Sequence, residues 1–325
     1  MLALSLVAAA CGDDDEPTAD TTAEEPAEEP ADTTAPAEEP TDEPAEEPAD
    51  TTAPAEEPST ETTTANTDAA GGECDPLPLV QEGMLTVATG ETVFPPWMGA
   101  GEDDFDDPTT GTGYEGALVF ALAEEMGFTA DQVTFVRTGF DEVIAPGDKD
   151  WDFNIQQYSI TEDRDEVVDF SDGYYEVDQA IIGAADSPAA SATSIADLKP
   201  LRIGAAIGTT SLDYAEQVID PDGDVQVYDD NSAAKAAFDA GQVDAIVFDL
   251  PTAYYITAVE ITDASVIGIL PPGESADELG MLFEEGNPLV PCVNAALQTL
   301  SDNGTLDAIE QEWLAAGGDI PTLDS

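Results

Sequence analysis

The sequence predicts an α/β protein folded as two lobes behind a long N-terminal segment with no core of its own. Three observations predict it. Short β-rich runs alternate with helix-periodic runs from about residue 84 onward, the alternation restarts after Ser187-Pro188, and residues 12–73 are almost devoid of aromatic and large aliphatic residues. Alternating strand and helix implies mostly parallel sheets covered by helices. Two such runs, with C-terminal elements left over, imply two lobes joined by more than one crossover.

The chain opens on a short apolar run, residues 1–10, ending in Val7-Ala8-Ala9-Ala10-Cys11. Small residues before a cysteine, behind an apolar stretch, predict the end of a secretory signal with a lipoprotein cleavage site. Cys11 is then the lipidated residue. The usual basic opening is missing, so the expected signal peptide at 1–10 is N-terminally truncated. The run is far shorter than the ~20 residues a membrane-spanning helix needs. Residues 12–73 carry 22 Asp and Glu and no Lys or Arg, and the unit Ala27–Pro40 recurs at Ala45–Pro58. Such a composition cannot offset its ordering entropy, so residues 11–73 are expected to form a disordered acidic tether rich in Pro, Glu and Thr. A tether of that length spans roughly 45 Å.

Charge narrows the partners. The chain has 72 Asp and Glu against 6 Lys and Arg, with 50 of the acids and all the bases beyond the tether. Nucleic acid rewards basic patches, so it is excluded as a partner, and adsorption to anionic lipid is disfavoured. With Cys11 assigned to lipid, Cys74 and Cys292 remain. In an extracytoplasmic compartment they are expected to form a disulfide rather than two buried free thiols. Cofactor and metal are not expected.

The elements follow in order. Met84–Thr89 is a strand running into a long Gly- and Pro-rich loop, Glu91–Gly113, whose length marks it as a candidate site loop. Ala117–Met126 is a helix stopped by Gly127. Val133–Val136 is a strand, Phe140–Ala145 a short helix, and Asp152–Ile155 a third strand. Tyr175–Gly183 reads as one long strand. Beyond Pro188 come a turn of helix at Ile195–Leu198, a strand at Arg202–Ala205, a Gly-Thr turn and a helix at Leu212–Val218. A strand at Val225–Tyr228, a helix at Ser232–Ala240, a strand at Val243–Asp249 and a helix at Pro251–Ile256 complete the second run. Leu279–Phe283 is a strand, and a single last helix runs from Val290 to Trp313. Ligands of open α/β sheets sit beyond the carboxyl ends of strands. Gly90–Trp97, Gln156–Arg164, Thr209–Ser211 and Asp249 all follow strand ends, so they are expected to meet in one cleft.

The chemistry these residues offer suits a zwitterion. Arg164 supplies a planar fork for a carboxylate. Thr209 and Thr210, at a helix start, add hydroxyl and backbone donors, and Ser159 adds another. Asp249 is an anion for an ammonium. Phe94, Trp97 and Phe140 offer apolar walls. Each has a plainer alternative: an ion pair of Arg164 with Glu162 or Asp165, a helix cap at Thr209-Thr210, and core packing for the aromatics.

The run Ser159-Ile160-Thr161-Glu162-Asp163-Arg164, leading into Val167–Tyr175, resembles the signature of the polar-amino-acid solute-binding proteins that serve ABC importers. The tail, with Asn287-Pro288-Leu289, Asp302-Asn303-Gly304-Thr305-Leu306 and Trp313-Leu314, is similar too, and the likeness covers residues 74–319. It implies a two-lobed periplasmic-binding-protein fold of type II, with a hinge and an interlobe ligand cleft. The C-terminus then returns to the first lobe, giving 74–184 plus 271–325 as lobe 1 and 185–270 as lobe 2, with hinges near Gly183–Ala185 and Ile267–Pro272. The resemblance implies that Phe94 and Phe140 sandwich the ligand side chain, that Ser159, Arg164 and Thr210 hold its carboxylate, and that Asp249 holds its ammonium. The expected protein is a monomeric, lipid-anchored receptor on the extracytoplasmic face, delivering an α-amino acid to an ABC permease. An amino-acid sensor and a dehydratase of the same fold are the rivals, the latter without a His to work with. The chain departs from the pattern in three places. Gln156-Gln157 stands for a small Ser/Gly pair, making Gln157 a candidate contact; the loop 99–113 is longer and more acidic; and Glu91 replaces Asp. Glu91 either faces the ligand's far end, favouring a basic or amide side chain, or is a solvated loop charge.

Overall fold

In a computed structural model of the chain, residues 74–100, 105–272, 277–314 and 320–325 are described. The expected signal peptide, Cys11 and the tether lie outside them. The strands run β1 (Leu85–Gly90), β2 (Val133–Thr138), β3 (Phe153–Asn154), β4 (Val168–Phe170), β5 (Tyr175–Val177) and β6 (Gln179–Ala184). Then come β7 (Ile203–Ala206), β8 (Gln226–Tyr228), β9 (Ala245–Asp249), β10 (Ala264–Ile269), β11 (Asp277–Leu279) and β12 (Leu282–Glu284). The helices are α1 (Tyr114–Glu125), α2 (Phe140–Ile144), α3 (Glu162–Asp165), α4 (Ile195–Leu198) and α5 (Thr210–Tyr214). They continue with α6 (Asn231–Asp239), α7 (Leu250–Tyr255), α8 (Val290–Asp302) and α9 (Thr305–Trp313).

Two five-stranded sheets carry the fold, ordered β2-β1-β3-β12-β4 and β10-β6-β9-β7-β8. In the first, β1 lies between β2 and β3 and is parallel to both. All six of its residues are buried, as expected of a parallel strand covered on both faces. Leu85 and Val87 point into a core with Leu118, Leu122, Val293 and Leu297, while Ala88 faces the opposite cluster of Val143, Trp151 and Tyr158. The last expected helix is two helices, because Gly304 adopts φ +80° between α8 and α9.

The topology moves two expected boundaries. Tyr175–Gly183 is two strands broken at Asp178, and β6 lies in the second sheet, antiparallel to β9 and β10. Its apolar residues need cover on both faces, which only the second lobe supplies, so lobe 1 ends near residue 178 rather than 184. Residues 320–325 likewise belong to the second lobe: Thr322 bridges to Ile269 and Asp324 to Ser194, and Leu323 is buried in that core. The chain passes between lobes at β5 and β11, which pair antiparallel as a two-stranded ribbon. Crossings therefore lie at Val177–Gln179 and beyond Leu270, and the membership of residues 320–325 in the second lobe requires a third after α9. Cys74 and Cys292 are joined, with their Cα atoms 5.7 Å apart, tying the start of the first lobe to the first turn of α8.

Candidate functional site: a cleft between the lobes

A cavity of about 430 Å³ opens between the two sheets at their carboxyl ends, and all ten candidate residues line it. The loop after β1 brings Glu91, Phe94 and Trp97; the residue run after β2 brings Phe140; the turn after β3 brings Gln157 and Ser159, and α3 brings Arg164. The second lobe contributes Thr209 and Thr210 after β7 and Asp249 at the tip of β9.

Arg164 is buried, with 8% of its surface exposed. The Thr161 hydroxyl caps α3 by accepting from the Arg164 backbone N–H. Its guanidinium donates from Nη1 to the Ser159 carbonyl at 2.7 Å and from Nη2 to the Gly208 carbonyl at 2.8 Å. It also lies 5.6 Å from the centre of the Phe140 ring. Arg137, Lys199, Arg202 and Lys235 each pair with a carboxylate. Arg164 pairs with no carboxylate among the described residues, so the expected alternative of an ion pair with Glu162 or Asp165 does not hold. A guanidinium has five N–H donors in a fixed fork, and the two carbonyl bonds leave donors for an anionic ligand group.

Asp249 accepts from Gln179 Nε2 at 2.7 Å, and the same amide reaches Asp277 at 3.3 Å. Desolvation pushes the Asp249 carboxyl up to about 7, with Asp277 adding to the shift and Gln179 and Arg164 opposing it. Glu115, in the first turn of α1, is fully buried beneath the cleft. It accepts from the Gln157 backbone N–H at 2.8 Å, from the Gln157 amide and from the Tyr174 hydroxyl. Burial raises its carboxyl to about 7 as well, against those hydrogen bonds.

Several candidates prove to be engaged within the protein. The Gln157 amide is folded onto Glu115, on a backbone at φ +53°. Thr209 is the N-cap of α5, accepting from Leu212 N–H and donating to the Ala206 carbonyl. Trp97 is 2% exposed, packs edge-on against Tyr114 and Tyr175, and donates its indole N–H across the cleft to Thr252 at 2.8 Å. Phe140 is stacked on Tyr158 at 4.5 Å and also has the Arg164 guanidinium over its ring. Phe94 meets Phe105 edge-on and has Lys235 Nζ 5.8 Å from its ring centre. Glu91 is exposed at the rim.

The lobes are drawn together around this cavity. Ser159 and Thr210 hydroxyls stand 3.2 Å apart across it, and Arg164 reaches Gly208. Gly208 has φ +72°, and a Cβ there would fall 1.9 Å from Asp141 Oδ1 of the facing lobe. Sequence reasoning missed Glu115, Gln179 and Asp277, and noted Gln156 only as one of two amides in place of a small pair. Glu115 read as an ordinary first-turn helix acid, and only the fold shows it buried.

Two α/β lobes joined by a two-stranded ribbon, with strand-end loops converging on one cleft, define a two-lobed solute-binding fold. Residues 85–316 match the family described as bacterial extracellular solute-binding proteins, family 3, and the chain belongs to it. A curated relative, the L-cystine-binding protein TcyJ of Escherichia coli (strain K12), is 27% identical over 241 residues, 73% of this chain and 84% of its own. An ancestral arginine-binding protein, solved bound to arginine and bound to glutamine, is 30% identical in each case. Its TM-scores are 0.60 and 0.61, over 71% and 73% of this chain and 98% and 100% of its own. The ancestral amino acid-binding protein AncCDT-1, a precursor of cyclohexadienyl dehydratase, is 29% identical with TM-score 0.59, over 71% of this chain and 95% of its own. These are type II periplasmic-binding-protein folds, and this chain shares that fold.

Proposed function

We propose that this protein is the extracytoplasmic receptor of an ABC amino-acid importer, lipid-anchored at Cys11 and acting as a monomer. It binds an α-amino acid in the interlobe cleft, closes around it, and presents the closed form to the permease. The ribbon of β5 and β11 is the hinge. Arg164 holds the ligand carboxylate with its unused donors, helped by Ser159 and Thr210. Asp249 holds the ammonium, and Phe94 and Phe140 flank the side chain. The observation that carries this reading is a buried guanidinium with no carboxylate partner among the described residues, lying in the same cleft as a desolvated carboxyl. Closure needs only differential affinity of the two states for ligand, and no covalent chemistry.

The dehydratase reading has one observation in its favour: Glu115 and Asp249 are carboxyls raised to about 7, the range useful for acid–base work. Both are held by neighbouring amides, and the Glu115 oxygens already accept three hydrogen bonds. That suits positioning and charge pairing better than proton transfer. The test is calorimetric titration of ligand-stripped full-length protein with the twenty L-amino acids, beside an assay for turnover of cyclic carboxylates. Saturable binding of one chemical group without turnover supports the receptor. Turnover, or no binding by any amino acid, overturns it.

A further inference from the structure

The two adjacent amides after β3 are used differently. Gln157 is committed to Glu115. Gln156 is held at one end only, where its Oε1 shares the Tyr158 hydroxyl proton with the Phe140 carbonyl, each acceptor at 3.2 Å. Tyr158 is fully buried and stacked on Phe140, so the hydroxyl that this end of the amide meets is held in place. Gln156 Nε2 hydrogen-bonds no described residue and is not among the buried unpartnered atoms. It therefore opens to the cavity whose wall Gln156 forms. It lies against Gly90, where a Cβ would stand 2.8 Å from Nε2, so a side chain at residue 90 would crowd the amide. The next residue, Glu91, lines the same cavity. A free N–H donor thus lies on the cleft wall beside the backbone that carries Glu91 at the rim.

We propose that Gln156, with Glu91, is the specificity-determining pair of this cleft, and that it selects an amino acid with an uncharged carboxamide side chain. This rests on the reading above that the cleft holds an α-amino acid. The ligand's amide carbonyl accepts from Gln156 Nε2, and its amide N–H donates to Glu91. A guanidinium or ammonium satisfies Glu91 but sets donor against donor at Gln156. A side-chain carboxylate satisfies Gln156 but meets the Glu91 charge. The donor left unmatched at Gln156 makes the larger part of this selection, and Glu91, exposed at the rim, adds a smaller, solvent-screened part.

The test is titration of full-length protein and two variants, Gln156→Leu and Gln156→Glu, with L-glutamine, L-asparagine, L-arginine, L-lysine and L-glutamate. Wild type is expected to bind glutamine or asparagine at least about tenfold more tightly than the charged ligands, the effect of one unmatched buried polar group. Gln156→Leu erases most of that ratio, and Gln156→Glu shifts preference to arginine or lysine, a gain that misfolding cannot produce. A wild-type preference for a charged amino acid, no preference, or an unchanged glutamine-to-arginine ratio in Gln156→Leu overturns the proposal while leaving the receptor reading intact. Failure of all five to bind wild type overturns the proposal, and failure of all twenty L-amino acids overturns the receptor reading as well.

Discussion

A buried arginine with no carboxylate partner among the described residues, in a chain where acids outnumber bases twelve to one, is the residue on which the account turns. Its hydrogen bonds go to two carbonyls, which orient the fork without neutralising it. Arg164→Lys keeps the charge and loses the fork, so titration is expected to show affinity falling by about a hundredfold, consistent with the loss of a bidentate charged contact. Gly208→Ala places a methyl group where Asp141 stands and is expected to hinder closure, weakening all ligands alike. Asp249 makes binding depend on pH. Its carboxyl lies near 7 in the folded protein and near 3.9 in an unfolded chain. Between those values the ligand-free folded state keeps a proton the unfolded state has released, so this group's contribution lowers stability as pH rises through that window. The ligand ammonium pairs only with the ionised form. Affinity is therefore expected to rise with pH up to about 7 and then level, and titrations at pH 5.5, 6.5 and 7.5 check it; Asp249→Asn abolishes the slope. The cleft placement of Arg164 and Asp249 was legible in the sequence, from a scarce cation and an acid at a strand tip, while the ligand roles expected of them came from the family resemblance. Glu115 and Gln179 were not, since their importance lies in burial and in partners 42 and 70 residues away.

Trp97 was expected at the ligand, and it does line the cleft, yet its indole N–H closes a bond to Thr252 at the start of the opposite lobe's α7. Sequence shows an aromatic in a site loop but not a hydrogen-bond partner 155 residues distant. Its expected role is to latch the closed form. Thr252→Val removes the acceptor at nearly constant shape, and titration should show every amino acid weakened by about the same several-fold factor, as for loss of one partly buried hydrogen bond. An altered ranking would place Trp97 at the ligand instead. Most elements were legible from period and punctuation. The exceptions have physical causes: Asp178 breaks an otherwise strand-like run between lobes, Gly304 breaks the last helix through a left-handed backbone, and β10 carries a register shift between Val266 and Gly268.

At the scale of the molecule, the two-lobed plan was legible, while the exact crossings and the return of residues 320–325 to the second lobe were not. Those depend on strand pairing over long separations, which local pattern does not encode. The Cys74–Cys292 bridge spans 218 residues, a loop whose closure is worth up to roughly 5 kcal/mol in the loop-entropy account. Cys74→Ser is expected to lower the melting temperature by roughly 10 °C, with ligand recognition retained because neither cysteine lines the cleft. Closure of the whole molecule around a zwitterion remains the central claim. It is tested most directly by titrating wild type with its best amino acid, with the decarboxylated amine of that amino acid, and with the acid lacking the α-amino group. The account predicts that each analogue binds at least about a hundredfold more weakly, from loss of one charged contact apiece. An analogue that binds as well as the amino acid would contradict it.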